Sequence, residues 1–82
     1  MRSINPSIYA VLVYCVSVTY HGEHWTTDSM TEDCAWSRQA ICKARRALVN
    51  AGMVRRRTLR LTDKGAKLCR ELGMGGLPEV AA

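Results

Sequence analysis

The side chains best suited to chemistry in this sequence are basic, and they lie together. Eleven of the twelve Lys and Arg residues fall between residues 38 and 70, where Asp63 is the one acidic residue, so this segment has a net charge of +10. Residues 1–37 carry −3 and residues 71–82 carry −2, which leaves +5 for the 82-residue chain. Charge segregated in this way predicts a partner with a negative surface. A face that serves solubility alone is the alternative, but solubility does not require this degree of self-repulsion.

One stretch of the basic segment, residues 38–51, has the spacing of a helix with two different faces. Arg38, Gln39, Lys43 and Arg46 occupy the side opposite the apolar residues. Arginine suits the edge of guanine, and glutamine suits that of adenine. Lys43 and Arg46 follow one and two turns later, where they would meet bases or the backbone. These residue types suit a nucleic acid as the negative partner. Its apolar face consists of Ile41, Ala44 and Leu48.

Hydroxyl and guanidinium groups on both sides of this helix extend the candidate interface. Thr27 and Ser37 lie at predicted helix N-termini, where the helix dipole favours an anion and a hydroxyl can donate to a phosphate. Four further arginines follow the helix and would reach phosphates or a minor groove. The predicted DNA-binding residues are Thr27, Ser37, Arg38, Gln39, Lys43, Arg46, Arg55, Arg56, Arg57 and Arg60.

The other reactive residue types do not combine into a catalytic or metal site. The sequence has no paired carboxylates in a predicted cleft, no Gly-rich phosphate loop and no Ser/His/Asp order, so we expect neither enzyme activity nor a cofactor. The pair His21 and His24 lies in a predicted turn without a cysteine at ligand spacing, and no metal is expected. There is no CxxC motif. The chain has four cysteines, Cys15, Cys34, Cys42 and Cys69. At least three of them fit small buried hydrophobes in a reducing cytoplasm.

The first element that would position these residues is a helix. Asn5-Pro6 gives it a cap and a favourable first residue, and it ends before Gly22. Its apolar residues cover more than one face, which predicts burial nearly all round and indicates a homodimer contact through helix 1. The longest apolar run, Ile8 to Val18, is shorter than the roughly 20 residues that cross a bilayer, so no membrane segment is expected.

Two more helices are predicted from capping residues. Thr26, Thr27 or Asp28 caps a second helix that runs to about Ala35. Ser37 then caps the basic helix. The break between them is short, as in a pair of helices joined by a tight turn.

The segment after the basic helix predicts a hairpin and a final helix. Gly52 closes the basic helix. Hydropathy then alternates towards the end of residues 53–61, which favours two short strands with a tight turn near Arg56. Thr62 caps a last helix, which ends at Gly73.

This order of elements is that of a helix-turn-helix followed by a wing. Residues 37–54, Ser-Arg-Gln-Ala-Ile-Cys-Lys-Ala-Arg-Arg-Ala-Leu-Val-Asn-Ala-Gly-Met-Val, resemble the recognition helix and first wing strand of MarR- and PadR-type winged-helix regulators. Leu61-Thr-Asp-Lys-Gly65 is similar to the Leu-Thr-x-x-Gly that opens their next helix. The resemblance covers residues 26–72. It implies a mainly α (α+β) winged helix-turn-helix fold, with three to four helices and a short two-stranded β-hairpin wing.

The domain so predicted spans residues 1–72. Residues 73–82 contain three glycines and a proline and predict a flexible C-terminal tail. Two features depart from the family that the chain resembles. Only six residues separate Val54 from Leu61, so the wing is short. The long flanking helices through which full-size members dimerise are missing, which leaves helix 1 and the tail for that purpose.

These observations predict a small DNA-binding transcriptional regulator of a size typical of phage or mobile-element proteins. The alternative is a winged-helix module for protein–protein interaction, such as a small phage-encoded inhibitor that docks on the acidic surface of a host nucleic-acid machine. The short wing and the apolar first helix favour that alternative. RNA binding is a weaker third interpretation, because the sequence offers no aromatic platform on a sheet.

Overall fold

Four α-helices make up most of the chain in the computed structural model, which describes residues 4–78. They are α1 (Pro6–Tyr20), α2 (Thr27–Asp33), α3 (Arg38–Asn50) and α4 (Asp63–Glu71). The prediction of a mainly helical domain with three to four helices is therefore confirmed, and the number is four among the described residues. The second helix ends two residues earlier than predicted, because the backbone of Cys34 is extended. No helix in this part of the chain is long and apolar enough to cross a membrane.

Each helix begins at a side chain that accepts a hydrogen bond from the first turn. Asn5 accepts from the Ser7 N–H at 2.9 Å, and Pro6 follows at the first helical position. Ser37 accepts from the Ala40 N–H at 3.2 Å. Such caps satisfy backbone donors that have no partner within the helix, and they fix where each helix starts. The four capping residues are Asn5, Thr26, Ser37 and Thr62.

One hydrophobic core joins the helices, and α1 and α3 form its centre. α3 contributes the predicted stripe of Ile41, Ala44 and Leu48, all buried. The largest fully buried side chains come from three helices and the loop before α4: Leu12, Met30, Ile41 and Leu59. α1 is buried on one face only, since Tyr9 and Val13 keep 38% and 46% of their surface exposed. The prediction that α1 is buried nearly all round is therefore wrong for the single chain.

The predicted two-stranded wing is not formed among residues 4–78. Val54 and Leu61 make a single antiparallel bridge, closed by a hydrogen bond from the Arg55 N–H to the Arg60 carbonyl at 2.9 Å. Leu59 explains why no strand continues, because its φ of +58° lies in the left-handed region. Its side chain is nevertheless 1% exposed. Residues 55–60 thus form a compact turn, here called the arginine loop, whose one apolar side chain is anchored in the core.

α4 packs unusually close to the backbone that precedes the arginine loop. A Cβ atom at Gly65 would lie 1.9 Å from the Met53 carbonyl oxygen. Only glycine allows this approach. The Thr62 hydroxyl reinforces the junction by donating to the Gly52 carbonyl at 2.6 Å. Gly65 is the glycine of the Leu-Thr-x-x-Gly pattern, and the close approach of α4 to the Met53 backbone explains why this position requires glycine in this chain.

The packed part of the chain extends past Leu72, which is the last residue before the predicted tail. The Met74 N–H donates to the Cys69 carbonyl at 3.1 Å, and its side chain is 9% exposed. Leu77 packs against the core. A ring nitrogen of His21 lies 2.7 Å from the Gly76 carbonyl oxygen. The last part of the predicted tail, residues 79–82, lies outside the described residues.

Candidate nucleic-acid interface

The outward face of α3 carries the predicted base-reading residues. Gln39, Lys43 and Arg46 are exposed and follow one another at intervals of four and three residues. Cys42 is exposed between them. This spacing places the side chains along one side of a helix, opposite the buried stripe. The face is therefore continuous and contains no acidic residue.

Arg38 differs from the other residues of this face because it already has a partner. Its guanidinium forms an ion pair with Asp28 in the first turn of α2. Both side chains are largely exposed, at 63% and 70%, so the pair adds little to stability. Arg38 must release or share Asp28 to contact a base. The sequence alone did not reveal this pair, which depends on how α2 and α3 are placed.

Thr27 and Ser37 occupy the helix N-termini, but their hydroxyls are partly engaged. Ser37 caps α3, as its position predicted. Thr27 is half-buried and follows the actual cap of α2, which is Thr26. Its hydroxyl oxygen lies 3.3 Å from Nη1 of Arg45. Both hydroxyls keep a hydrogen that they can donate to a phosphate.

The arginine loop presents its charged side chains to solvent. All four arginines of the loop are exposed, whereas Leu59 between them is buried. The buried leucine fixes the loop to the core, and the left-handed turn at this residue keeps the loop short. The predicted phosphate-contacting residues are therefore exposed on a folded loop rather than on the strands of a wing. They are Arg55, Arg56, Arg57 and Arg60.

Arg45 connects this loop to the helix-turn-helix. Its Nη1 contacts the Thr27 hydroxyl at 3.3 Å, and its Nη2 contacts the Arg56 carbonyl oxygen at 3.5 Å. These are long hydrogen bonds, but one half-buried guanidinium makes both of them. Arg45 is not among the residues that the sequence predicts for the interface. The signal that could have revealed its role is its position between the buried and exposed stripes of α3, where a long side chain can reach a neighbouring element.

A shallow groove of about 340 Å³ shows that α3 and the arginine loop meet on one surface. Arg46 of α3 and Arg56 of the loop both line it, with Arg45 and Cys42. Lys64 and Lys67 of α4 line a different concavity, together with Glu71. The basic residues of α4 are thus separate from this groove, and α3 and the arginine loop together contain most of the predicted site residues.

The cysteines divide into buried and accessible thiols. Burial raises the pKa of Cys15 to about 12 and also raises the pKa of Cys69. Burial likewise raises the pKa of Tyr14, and so does the hydrogen bond that its hydroxyl donates to Asp33 at 2.7 Å. Cys42 on the α3 face is exposed.

No group of three His, Cys, Asp or Glu residues suited to a metal occurs among residues 4–78.

Comparison of this chain with protein-family models, curated proteins and solved structures finds no match.

Proposed function

We propose that this protein is a small DNA-binding transcriptional regulator, with α3 in the major groove and the arginine loop on the phosphates. The observation that carries the proposal is the groove lined by both Arg46 and Arg56, because it joins the exposed face of a helix to a basic loop. A helix of this kind presents its N-terminal and outward residues to base edges, and flanking cations neutralise phosphates. The motifs shared with MarR- and PadR-type winged-helix regulators support the same function.

The residues divide into two roles in this proposal. Gln39, Lys43 and Arg46 contact base edges, and Arg38 joins them once it leaves Asp28. The loop arginines, with Thr27 and Ser37, contact phosphates and fix the register of α3 on the duplex. A loop of six residues is too short to act as a long minor-groove probe, so the loop contributes affinity more than sequence preference.

The experiment is to measure binding of fluorescently labelled duplex DNA over a range of salt concentrations. With about five phosphate contacts, the logarithm of the binding constant should fall with the logarithm of salt at a slope of about −4 to −5. Selection from a random duplex library then gives the preferred site, and an enriched palindrome would indicate a dimer, because half-site symmetry mirrors protein symmetry. Absence of binding at low salt, or binding that ignores salt, contradicts the proposal.

A second candidate is a module that docks on an acidic protein surface, such as an inhibitor of a nucleic-acid machine. The exposed apolar side chains of Tyr9 and Val13 on α1 and of Trp36 before α3 favour it, because such residues anchor protein interfaces. A stoichiometric protein partner whose binding depends on Lys43, while charge reversal there leaves DNA occupancy unchanged, would favour this function over the first.

A further inference from the structure

A cavity of about 450 Å³ lies where the end of α1, the link between α1 and α2, α3 and the arginine loop meet. This volume is within the range of sites for small organic ligands. Val18, Trp25 and Leu59 contribute apolar surface. Thr27, Arg45 and Arg57 contribute hydrogen-bond donors. The cavity therefore combines an apolar wall with a cluster of donors, as a ligand site does.

The charges that face this cavity are unbalanced. Arg45 and Arg57 both line it, and none of the lining residues is acidic. Arg45 uses Nη1 and Nη2 on Thr27 and Arg56, which leaves further N–H groups of the guanidinium to donate. Within the described residues, the Arg57 side chain has no hydrogen bond or ion pair. Two guanidinium groups are thus available to an anion that enters the cavity.

Trp25 also lines the cavity, and its indole N–H lacks a partner. Its Nε1 is buried and has no acceptor among the described residues. The indole ring packs against Tyr14, with ring centroids 4.6 Å apart and planes tilted by 59°. A buried N–H without an acceptor is costly. Because Trp25 lines the cavity, its indole N–H is a local probe of whether the cavity is occupied.

We propose that this cavity binds the phosphate monoester group of a small organic molecule. A phosphate monoester carries a charge of about −1.5 to −2 and three acceptor oxygens. This charge matches the two guanidinium groups, and the oxygens can accept from Arg45, Arg57 and the Thr27 hydroxyl. Val18 and Leu59 contact the organic part of the ligand. A carboxylate matches less well, because it carries one charge and two oxygens.

The ligand would also act on DNA binding, and this part rests on the proposed function. Arg45 lines both this cavity and the groove that α3 forms with the arginine loop, and Arg57 lines the cavity as part of that loop. A bound phosphate monoester neutralises them, so it lowers the affinity for DNA. The cavity is therefore an effector site in a regulator of this kind.

The test records the indole N–H resonance of Trp25 in two-dimensional NMR spectra, with Trp36→Phe to assign it, since the chain has two tryptophans. The probes are phenyl phosphate, glycerol phosphate and adenosine monophosphate, each compared with its parent alcohol at constant ionic strength. We expect at least one monoester to shift the resonance saturably and no parent alcohol to do so. Arg57→Gln should weaken this binding about tenfold. Arg55→Gln is the matched control, because Arg55 does not line the cavity, and it should leave binding unchanged.

Each other outcome is decisive. The inference is wrong if no monoester shifts the resonance at concentrations on the order of 10 mM, where even weak specific binding is detectable. It is also wrong if Arg55→Gln weakens binding as much as Arg57→Gln, since only overall charge then matters. If duplex DNA shifts the Trp25 resonance and no monoester does, the cavity binds a phosphate of the DNA backbone. That result contradicts the proposed effector site. Binding of a monoester without any binding of DNA supports the cavity and contradicts the proposed function instead.

Discussion

The hydroxyl oxygen of Thr19 accepts a hydrogen bond from the backbone N–H of Leu61 at 2.9 Å. The same hydroxyl donates to the Cys15 carbonyl within α1 at 2.7 Å, so one side chain uses both its donor and an acceptor site. Leu61 directly follows the arginine loop and is 8% exposed. This contact ties the end of the loop to α1. It satisfies a backbone donor that points away from Val54, because the hydrogen bonds that close the bridge come from the neighbouring residues Arg55 and Thr62.

Replacing Thr19 by Val should destabilise the fold by about 1–3 kcal/mol, because it leaves the Leu61 N–H without an acceptor while it keeps the shape of the side chain. Urea unfolding followed by circular dichroism measures this loss. Thr19→Ser keeps the hydroxyl and should lose clearly less than Thr19→Val. Equal losses for the two variants would show that packing, not the hydrogen bond, is what Thr19 contributes.

Gly65 should tolerate no side chain. Gly65→Ala places a Cβ 1.9 Å from the Met53 carbonyl oxygen, so the backbone of α4 or of Met53 must move. We expect a loss of about 3 kcal/mol or more in the free energy of unfolding, at the upper end of overpacking effects. Gly75→Ala is the control, since a Cβ there meets nothing within 4 Å. A Gly65→Ala protein as stable as the Gly75→Ala protein would contradict the close packing of α4.

The stability of the fold should fall in alkaline solution. Burial raises the pKa of Cys15 to about 12, whereas a thiol in the unfolded chain ionises near its ordinary pKa of about 8.5. The unfolded state therefore loses its proton first. The contribution of this thiol is fully present below pH of about 8.5 and is lost as pH rises towards 12, with a slope of at most about 1.4 kcal/mol per pH unit. Cys69 and Tyr14, whose pKa values are also raised, act in the same direction.

The alkaline effect is measured as the slope of unfolding free energy against pH between about 8.5 and 11, a window set by the ordinary thiol pKa. Cys15→Ala should give a shallower slope than the wild-type chain, whatever its stability at neutral pH. Cys42→Ala removes an exposed thiol and is the matched control. A Cys15→Ala slope equal to that of wild type would mean that Cys15 is ionised as easily in the folded protein as in the unfolded one.

Arg45 should matter for DNA binding through its shape as well as its charge. It reaches Thr27 and Arg56 with two different nitrogens, and a lysine ammonium cannot reproduce this bridge. We expect Arg45→Lys to lower DNA affinity three- to tenfold, equivalent to about 1 kcal/mol, with the salt slope preserved. Arg45→Met should lower both the affinity and the slope. Wild-type affinity in Arg45→Lys would show that only the charge at this position contributes.

The helix starts could be predicted because the signals for them are local. Asn5, Ser37 and Thr62 each cap a helix at the predicted position, since a cap needs only the side chain and the first turn. The buried stripe of α3 follows from helical periodicity in the same way. The exposed face of α3, which holds four of the ten predicted site residues, was predictable for this reason.

The wing could not be predicted correctly because its geometry depends on the rest of the fold. Leu59 and Leu61 alternate with polar residues as a strand would, and both are buried as that pattern indicates. Leu59 nevertheless takes a left-handed conformation, which costs energy and is held by burial against the other elements. The partners of Arg38 and Arg45 also depend on tertiary placement, because they lie on other elements of the chain. Spacing within one helix contains no information about them.

The most direct test of the proposed function compares two double variants that remove the same charge from different places. Arg46→Gln with Arg56→Gln removes two charges from the groove shared by α3 and the arginine loop, while Lys64→Gln with Lys67→Gln removes two from the concavity on α4. DNA affinity is measured for both over a range of salt concentrations. We predict that the first pair makes the salt slope shallower by about 1 to 2 and that the second leaves it nearly unchanged. Equal changes in the two variants would contradict the assignment of α3 and the arginine loop as the DNA-binding surface.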